Sequence, residues 1–226
     1  MTVTDSLRTS VCTIAFNAGL LTTHKGVGVK YISSLIKEQL TALIPTSGYI
    51  AKNSERVESE DCMWIVDPMD GVQNYLNGLP YAISIALRDE GTRDIVLGVI
   101  YSPLDNTTIC AVKGEGAYKL TSCGKSRLTI PSKELKPLGL VGMPTHKEDL
   151  PRTLSILESM YNSYGDVRSI GPASLDICRV ACGHAQKYVQ VGLRTWNICA
   201  GKLILEEAGG YYQKISDTHI FSGVEL

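Results

Sequence analysis

The chain has 226 residues, of which 44% are hydrophobic and 20% charged, with a formal net charge of −1. That length can bury a large core, and the near-neutral balance leaves no electrostatic footprint for nucleic acid or an anionic membrane surface. No apolar run approaches the ~20 residues that span a bilayer, and Met1-Thr-Val-Thr-Asp-Ser6 lacks the basic and then apolar stretches of a secretory leader.

In chain order, Leu7, Val11, Ile14, Ala18 and Leu21 recur at helical spacing and predict an amphipathic helix over about 5–22. Gly26 and Gly28 break it, and Ile32, Leu35, Ile36, Leu40 and Leu43 mark a second helix that ends before Pro45. From Met63 to about Ile130 the pattern turns to strands: Met63–Val66, Tyr81–Leu87, Ile95–Tyr101, Thr107–Val112 and Gly116–Leu120. Asp105-Asn106 and Lys113-Gly114 supply turn chemistry, and the short connections predict an antiparallel sheet rather than serial βαβ units. Leu150, Leu154, Leu157 and Tyr161 share one face of a helix that Pro151 helps start. Pro172–Gly183 reads as a helix with Leu175, Cys178, Ala181 and Cys182 inward, and Lys187–Val191 as a short strand. Thr195–Ala208 is apolar on nearly all sides, which predicts a helix buried between layers and terminated by Gly209-Gly210. The expectation is a single domain, 1–226, of alternating helical and sheet layers, with a seam near 131–150.

Seven cysteines, an odd number with no C-x-x-C, sit mostly inside apolar segments. They read as buried free thiols in a reducing compartment, hence a cytoplasmic protein. His24, His146, His184 and His219 are scattered without ligand spacing. Trp64 and Trp196 read as core supports.

The chemistry concentrates in Trp64-Ile-Val-Asp-Pro-Met-Asp-Gly-Val-Gln-Asn-Tyr75. An apolar run delivers Asp67 and Asp70 to a strand end, and Gly71 then turns the chain into a short helix. Carboxylates that hold a hard cation beside amides that hold an anion are the parts of a metal-dependent phosphoryl site. Gly71, Val72, Gln73 and Asn74 are the candidate binding residues on this side.

That stretch resembles the first signature of the inositol monophosphatase family. Tyr81–Leu87 and Gly98–Pro103 resemble the strands that follow it, and Gly171-Pro-Ala-Ser-Leu-Asp176 the family's substrate-side helix start. Trp196-Asn-Ile-Cys-Ala-Gly201 with Glu207-Ala-Gly-Gly210 resembles the second signature. The resemblance implies an α/β fold, the αβαβα sandwich of that type, slightly truncated. It also implies magnesium-dependent phosphomonoester hydrolysis and a homodimer.

Residue by residue, the metal shell departs from the family pattern. Lys52 and Asn53 stand where the resemblance implies a glutamate pair, Val72 where it implies a water-assisting threonine, and Asn197 where it implies a metal-binding aspartate. The supporting aspartate before the second helix falls near Val29, and carboxylates toward substrate hydroxyls map to Gln186 and Gln190. An ammonium in place of a ligand repels a cation by ~4 kcal/mol per unit pair at ~4 Å and a dielectric near 20. Losing water activation removes help worth typically ~10²–10⁴-fold. The resulting expectation is no cofactor, or at most one weak Mg²⁺ at Asp67, Asp70 and the Met69 carbonyl. With less cation, two close carboxylates push one pKa upward.

The sequence therefore predicts a repurposed, metal-independent small-molecule enzyme. Asp67, Asp70 and Lys52 would be catalytic in isomerisation, cyclisation or elimination, and Gly71, Val72, Gln73, Asn74, Gly171, Ala173, Gln190 and Asn197 would bind substrate. A non-catalytic pseudophosphatase that binds a ligand or partner, and a weak one-metal phosphomonoesterase, are the alternatives. The expected partner is a small molecule in the cleft, with no nucleic acid and no membrane.

Overall fold

A computed structural model describes residues 1–23, 27–52, 54–130 and 138–225. His24 and residues 131–137 of the expected seam lie outside them, as does Asn53. The first helix, α1 (Asp5–Thr22), starts where predicted, with the Thr4 hydroxyl accepting the Leu7 N–H at 3.2 Å. It buries Val11, Ile14, Ala15 and Ala18, and α2 (Val29–Leu43) packs beside it with Ile32, Ile36 and Leu40 inward.

Both helices lie on one face of a seven-stranded sheet, β1 (Gly48–Ala51), β2 (Cys62–Asp70), β3 (Ala82–Asp89), β4 (Ile95–Ser102), β5 (Thr107–Val112), β6 (Gly116–Thr121) and β7 (Gly124–Leu128). The strands run in chain order, antiparallel as expected except that β1 pairs parallel with β2. β2 is buried along its whole length: Cys62, Trp64 and Val66 face α1 and α2, while Met63 and Ile65 face the other side. A strand covered on both faces reads as a continuous apolar run, which is why its alternation is invisible in sequence. Asp67 follows the Met63–Ile65 side by the two-residue period.

That other face is covered by α5 (Ala173–Ala181) and α6 (Thr195–Glu207). The sequence of α6 is apolar on most sides because it lies between two sheets, with the Lys202–Glu206 pair on its open side. Gly98 on β4 makes the approach possible, since a Cβ there would stand 2.8 Å from the Ala200 carbonyl oxygen. At the far end of α6, the Glu207 carboxylate accepts the N–H groups of Gly114 and Gly116, each at 2.7 Å, and so clamps the β5–β6 turn.

The second sheet runs β11 (Tyr211–Ile215), β12 (Thr218–Ser222), β10 (Lys187–Val191), β8 (Gly139–Val141) and β9 (Val167–Arg168). A 3-10 turn (Lys147–Asp149) leads into α4 (Leu150–Tyr164), which covers its outer face with Ile156, Met160 and Tyr164. The row that identified α4 in sequence points outward instead: Leu154 is 51% and Tyr161 60% exposed. Helical spacing gives a face but not which face is covered. The layers are α1–α2, sheet, α5–α6, sheet, α4, the expected αβαβα order. Among the described residues, no helix is long and apolar enough to cross a membrane.

Candidate active site

The end of β2 carries the two aspartates past a register irregularity between Asp67 and Asp70. Gly71 then takes the left-handed conformation (φ 88°), which favours glycine, and opens the five-residue helix α3 (Val72–Leu76). Asp67 is fully buried and Asp70 is 7% exposed. Asp67 Oδ1 accepts the Met69 N–H at 3.1 Å, and its Oδ2 accepts Asn197 Nδ2 at 3.0 Å. Asp70 Oδ2 accepts the Ser174 N–H at the start of α5 at 2.9 Å, and its Oδ1 accepts Asn197 Nδ2 at 3.4 Å. The Asn197 side-chain oxygen in turn accepts the Arg194 N–H at 3.3 Å. One amide thus joins the first turn of α6 to both carboxylates, a bridge that an aspartate there cannot donate.

Burial pushes the Asp67 carboxyl up to about 7, with the Asp70 charge adding to it; Lys52, the Met69 N–H and Asn197 pull the other way. Burial also raises Asp70, against donation from Ser174 and the Lys52 charge. The expected upward push on close carboxylates is present, although burial outweighs mutual repulsion. The opposite wall is fixed by Asp176, which accepts the Gly171 N–H at 2.9 Å and pairs with Arg179 at 2.6 Å.

A cleft of 640 Å³ opens over this floor. Of the sequence-predicted residues, Lys52, Asp70, Gly71, Asn74, Gly171, Ala173, Gln190 and Asn197 line it. Asp67, Met69, Val72 and Gln73 do not. Asp67 and Met69 are sealed beneath the lining, Val72 packs against the α1–α2 core, and Gln73 faces solvent. Asn74 and Gln190 are partly committed to the walls: Asn74 Nδ2 donates to the Pro80 carbonyl at 2.8 Å, and Gln190 Nε2 to the Met143 carbonyl at 3.2 Å. Arg194, His146, Ser169 and Trp196 also line the cleft. Trp196, expected as a core support, is half-buried at the surface of the cleft, whereas Trp64 is fully buried. The spacing of Arg194 three residues before Asn197 was the one available signal for it; His146 had none.

The resemblance implies magnesium, and the donor set does not fit a two-ion site. Among the described residues no group of three or more His, Cys, Asp or Glu is placed to hold a metal. All four oxygens of Asp67 and Asp70 already accept N–H donors, and Asn197 presents hydrogens to the place where an anionic ligand would serve.

The model of the inositol monophosphatase family matches residues 29–224. Nus factor SuhB of Pasteurella multocida is 33% identical over 204 residues, 84% of this chain and 74% of that one. Inositol-1-monophosphatase of Mesorhizobium japonicum is 34% identical over 185 residues, 78% of this chain and 66% of that one. The crystal structure of extragenic suppressor protein suhB from Bartonella henselae superposes with a TM-score of 0.85 at 26% identity, covering 96% of this chain and 94% of that one.

These relatives overturn the metal-independent isomerisation, cyclisation or elimination expected from the sequence, because they are named as phosphatases and Nus factors. The geometry supplies the physical reason. Asp67, one of the acids on which that chemistry was expected to rest, is sealed beneath the cleft lining and meets no substrate.

Proposed function

Since the chain belongs to the inositol monophosphatase family, we propose that its cleft is a phosphomonoester site. It takes a small phosphorylated compound and hydrolyses it far more slowly than a relative with the full carboxylate set. The observation that carries this reading is that Lys52 and Arg194 line the same cleft as Asp70 and Asn197. Two cations at the rim above a floor of satisfied carboxylates favour a dianionic phosphate, because an unpaired anion there meets positive charge first. Slow hydrolysis follows from Val72, which offers no hydroxyl and lies off the cleft lining, and from Lys52 in place of a carboxylate.

Titration calorimetry with inorganic phosphate, together with a phosphate-release assay in millimolar Mg²⁺, tests it. Saturable binding that weakens in Lys52→Ala and Arg194→Ala is expected, with low turnover that rises in the Lys52→Glu/Asn197→Asp double variant. A protein that takes up no phosphate at millimolar concentration sinks the reading.

The relatives named Nus factor SuhB favour a second reading, a role in transcription. A transcription reaction reconstituted with the host's own polymerase checks it, and identical transcript patterns with and without saturating protein reject it.

A further inference from the structure

The first residue of α5, Ala173, lines the cleft, whereas Leu175, Cys178, Arg179 and, just past its end, Cys182 line a separate cavity of 410 Å³. We propose that this second cavity is a binding site for a small phosphorylated compound with an apolar body, its phosphoryl group held by Lys119, Arg179 and His184. The two cavities have no lining residue in common, so each can be filled and tested without the other.

The large sheet supplies one wall. Ile100 on β4, Ile109 on β5 and Ala117 on β6 belong to the core on the α5–α6 side. By the two-residue period, Ser102, Thr107 and Lys119 lie on that same face. Ile100 is in register with Ile109, Ser102 with Thr107, and Ile109 with Lys119. The face thus changes from apolar to polar along the strands, and the cavity spans the change. An apolar floor beside a few polar groups suits a ligand with an apolar body and one charged head.

Helix α5 supplies the other wall. Gly183 (φ 73°) ends it: its N–H donates to the Val180 carbonyl at 2.9 Å, and the His184 N–H donates to the Arg179 carbonyl at 2.8 Å. That cap ties His184 to Arg179 through the backbone, and both side chains line the cavity. Arg179 Nη1 is anchored on Asp176 at 2.6 Å, so the guanidinium is held, while its Nε and Nη2 make no bond among the described residues. Among those residues, Arg179 is the only one of the three basic side chains in an ion pair. Asp105, the one carboxylate among the described lining, is exposed and accepts the Ser102 hydroxyl at 2.9 Å. A forked guanidinium, an ammonium and an imidazole around one space match a phosphoryl dianion. In support, burial and the Lys119 and Arg179 charges hold the His184 imidazole below its ordinary value, so an anion arriving there brings a proton onto the ring.

Nuclear magnetic resonance of the His184 imidazole in the full-length protein, titrated with phenylphosphonate, tests this, and His184→Gln identifies the signal. A saturable shift at millimolar ligand is expected, at lower concentration than with methylphosphonate. With ligand bound, the imidazole should titrate about one pH unit higher. Lys119→Met, which keeps the aliphatic stem, should weaken that binding roughly tenfold. Arg194→Ala, at the rim of the cleft, should leave it unchanged. No saturable shift at millimolar phenylphosphonate, equal binding of the two phosphonates, or a response that Arg194→Ala removes and Lys119→Met does not would overturn the proposal.

Discussion

At the floor of the cleft, Asp67, Asp70 and Asn197 are buried or nearly so, and every carboxylate oxygen accepts a donor from β2, α5 or α6. At the rim, Lys52 is half-buried, and His146 and Arg194 are exposed. Yet both line or underlie one cavity. The difference teaches that charge and order are separated in this site. The floor holds acids that are mutually stabilised parts of the fold, whereas the rim holds cations free to meet a ligand. Substitutions at the floor should therefore register first in stability, and those at the rim first in binding.

The largest expected effect comes from unseating the helix that carries Asn197. In Gly98→Val the new side chain meets the Ala200 carbonyl, whose oxygen would lie 2.8 Å from the Cβ. A loss of about 3 kcal/mol follows from overpacking, read as a lower midpoint in urea, and an unchanged midpoint would show that α6 is not seated as described.

Next is the pH dependence of the floor. Asp67 titrates at about 7 in the fold against 3.8 ordinarily. Between those values the folded state binds the extra proton, so its stabilising contribution is full below about pH 4 and is lost as pH rises through 7. A drop on the order of 4 kcal/mol across that window is expected. Thermal melts of Asp67→Asn should show a flatter profile over the same window; a profile as steep as wild type would assign the effect elsewhere.

Asn197→Asp sharpens the comparison further by replacing a bridging donor with a third acid. It should cost about 1.5 kcal/mol at pH 8 in the absence of divalent cations, and millimolar Mg²⁺ should restore part of it. If the variant melts as wild type does, the Asn197 bridge contributes nothing.

The smallest effect on stability belongs to the rim. Arg194→Ala should stay within ~0.5 kcal/mol of wild type while losing roughly tenfold in phosphate affinity, about 1.4 kcal/mol. Calorimetry and a urea titration of the same variant separate the two quantities, and a large loss of stability would place Arg194 with the floor.

Much of the fold was legible in residues. Val11, Ile14 and Ala18 marked α1 by spacing, and Thr195–Ala208, apolar on nearly all sides, marked a helix between layers. Strands β1, β7, β8, β9, β11 and β12 were not legible. β7 reads Gly-Lys-Ser-Arg-Leu and is exposed except at Leu128, so pairing with β6 rather than any burial pattern makes it a strand. Within the site, the aspartates and Lys52 were legible because they interrupt known patterns, and Asn197 because it departs from one. Arg194, His146 and Ser169 were not, since their convergence depends on how the start of α6, the β8–α4 connection and the β9–α5 connection meet in space. The seam near 131–150 falls partly on residues outside the described ones.

The Glu207 clamp gives α6 one further consequence. With Asn197 fixed to the aspartates at one end and Glu207 gripping the Gly114 and Gly116 amides at the other, the thirteen-residue helix is a ruler of roughly 20 Å at 1.5 Å per residue. Its length is set by the β5–β6 turn as much as by the cleft. Lengthening that turn by one residue would therefore be felt as a displacement of Asn197 against Asp67, at the other end of the helix.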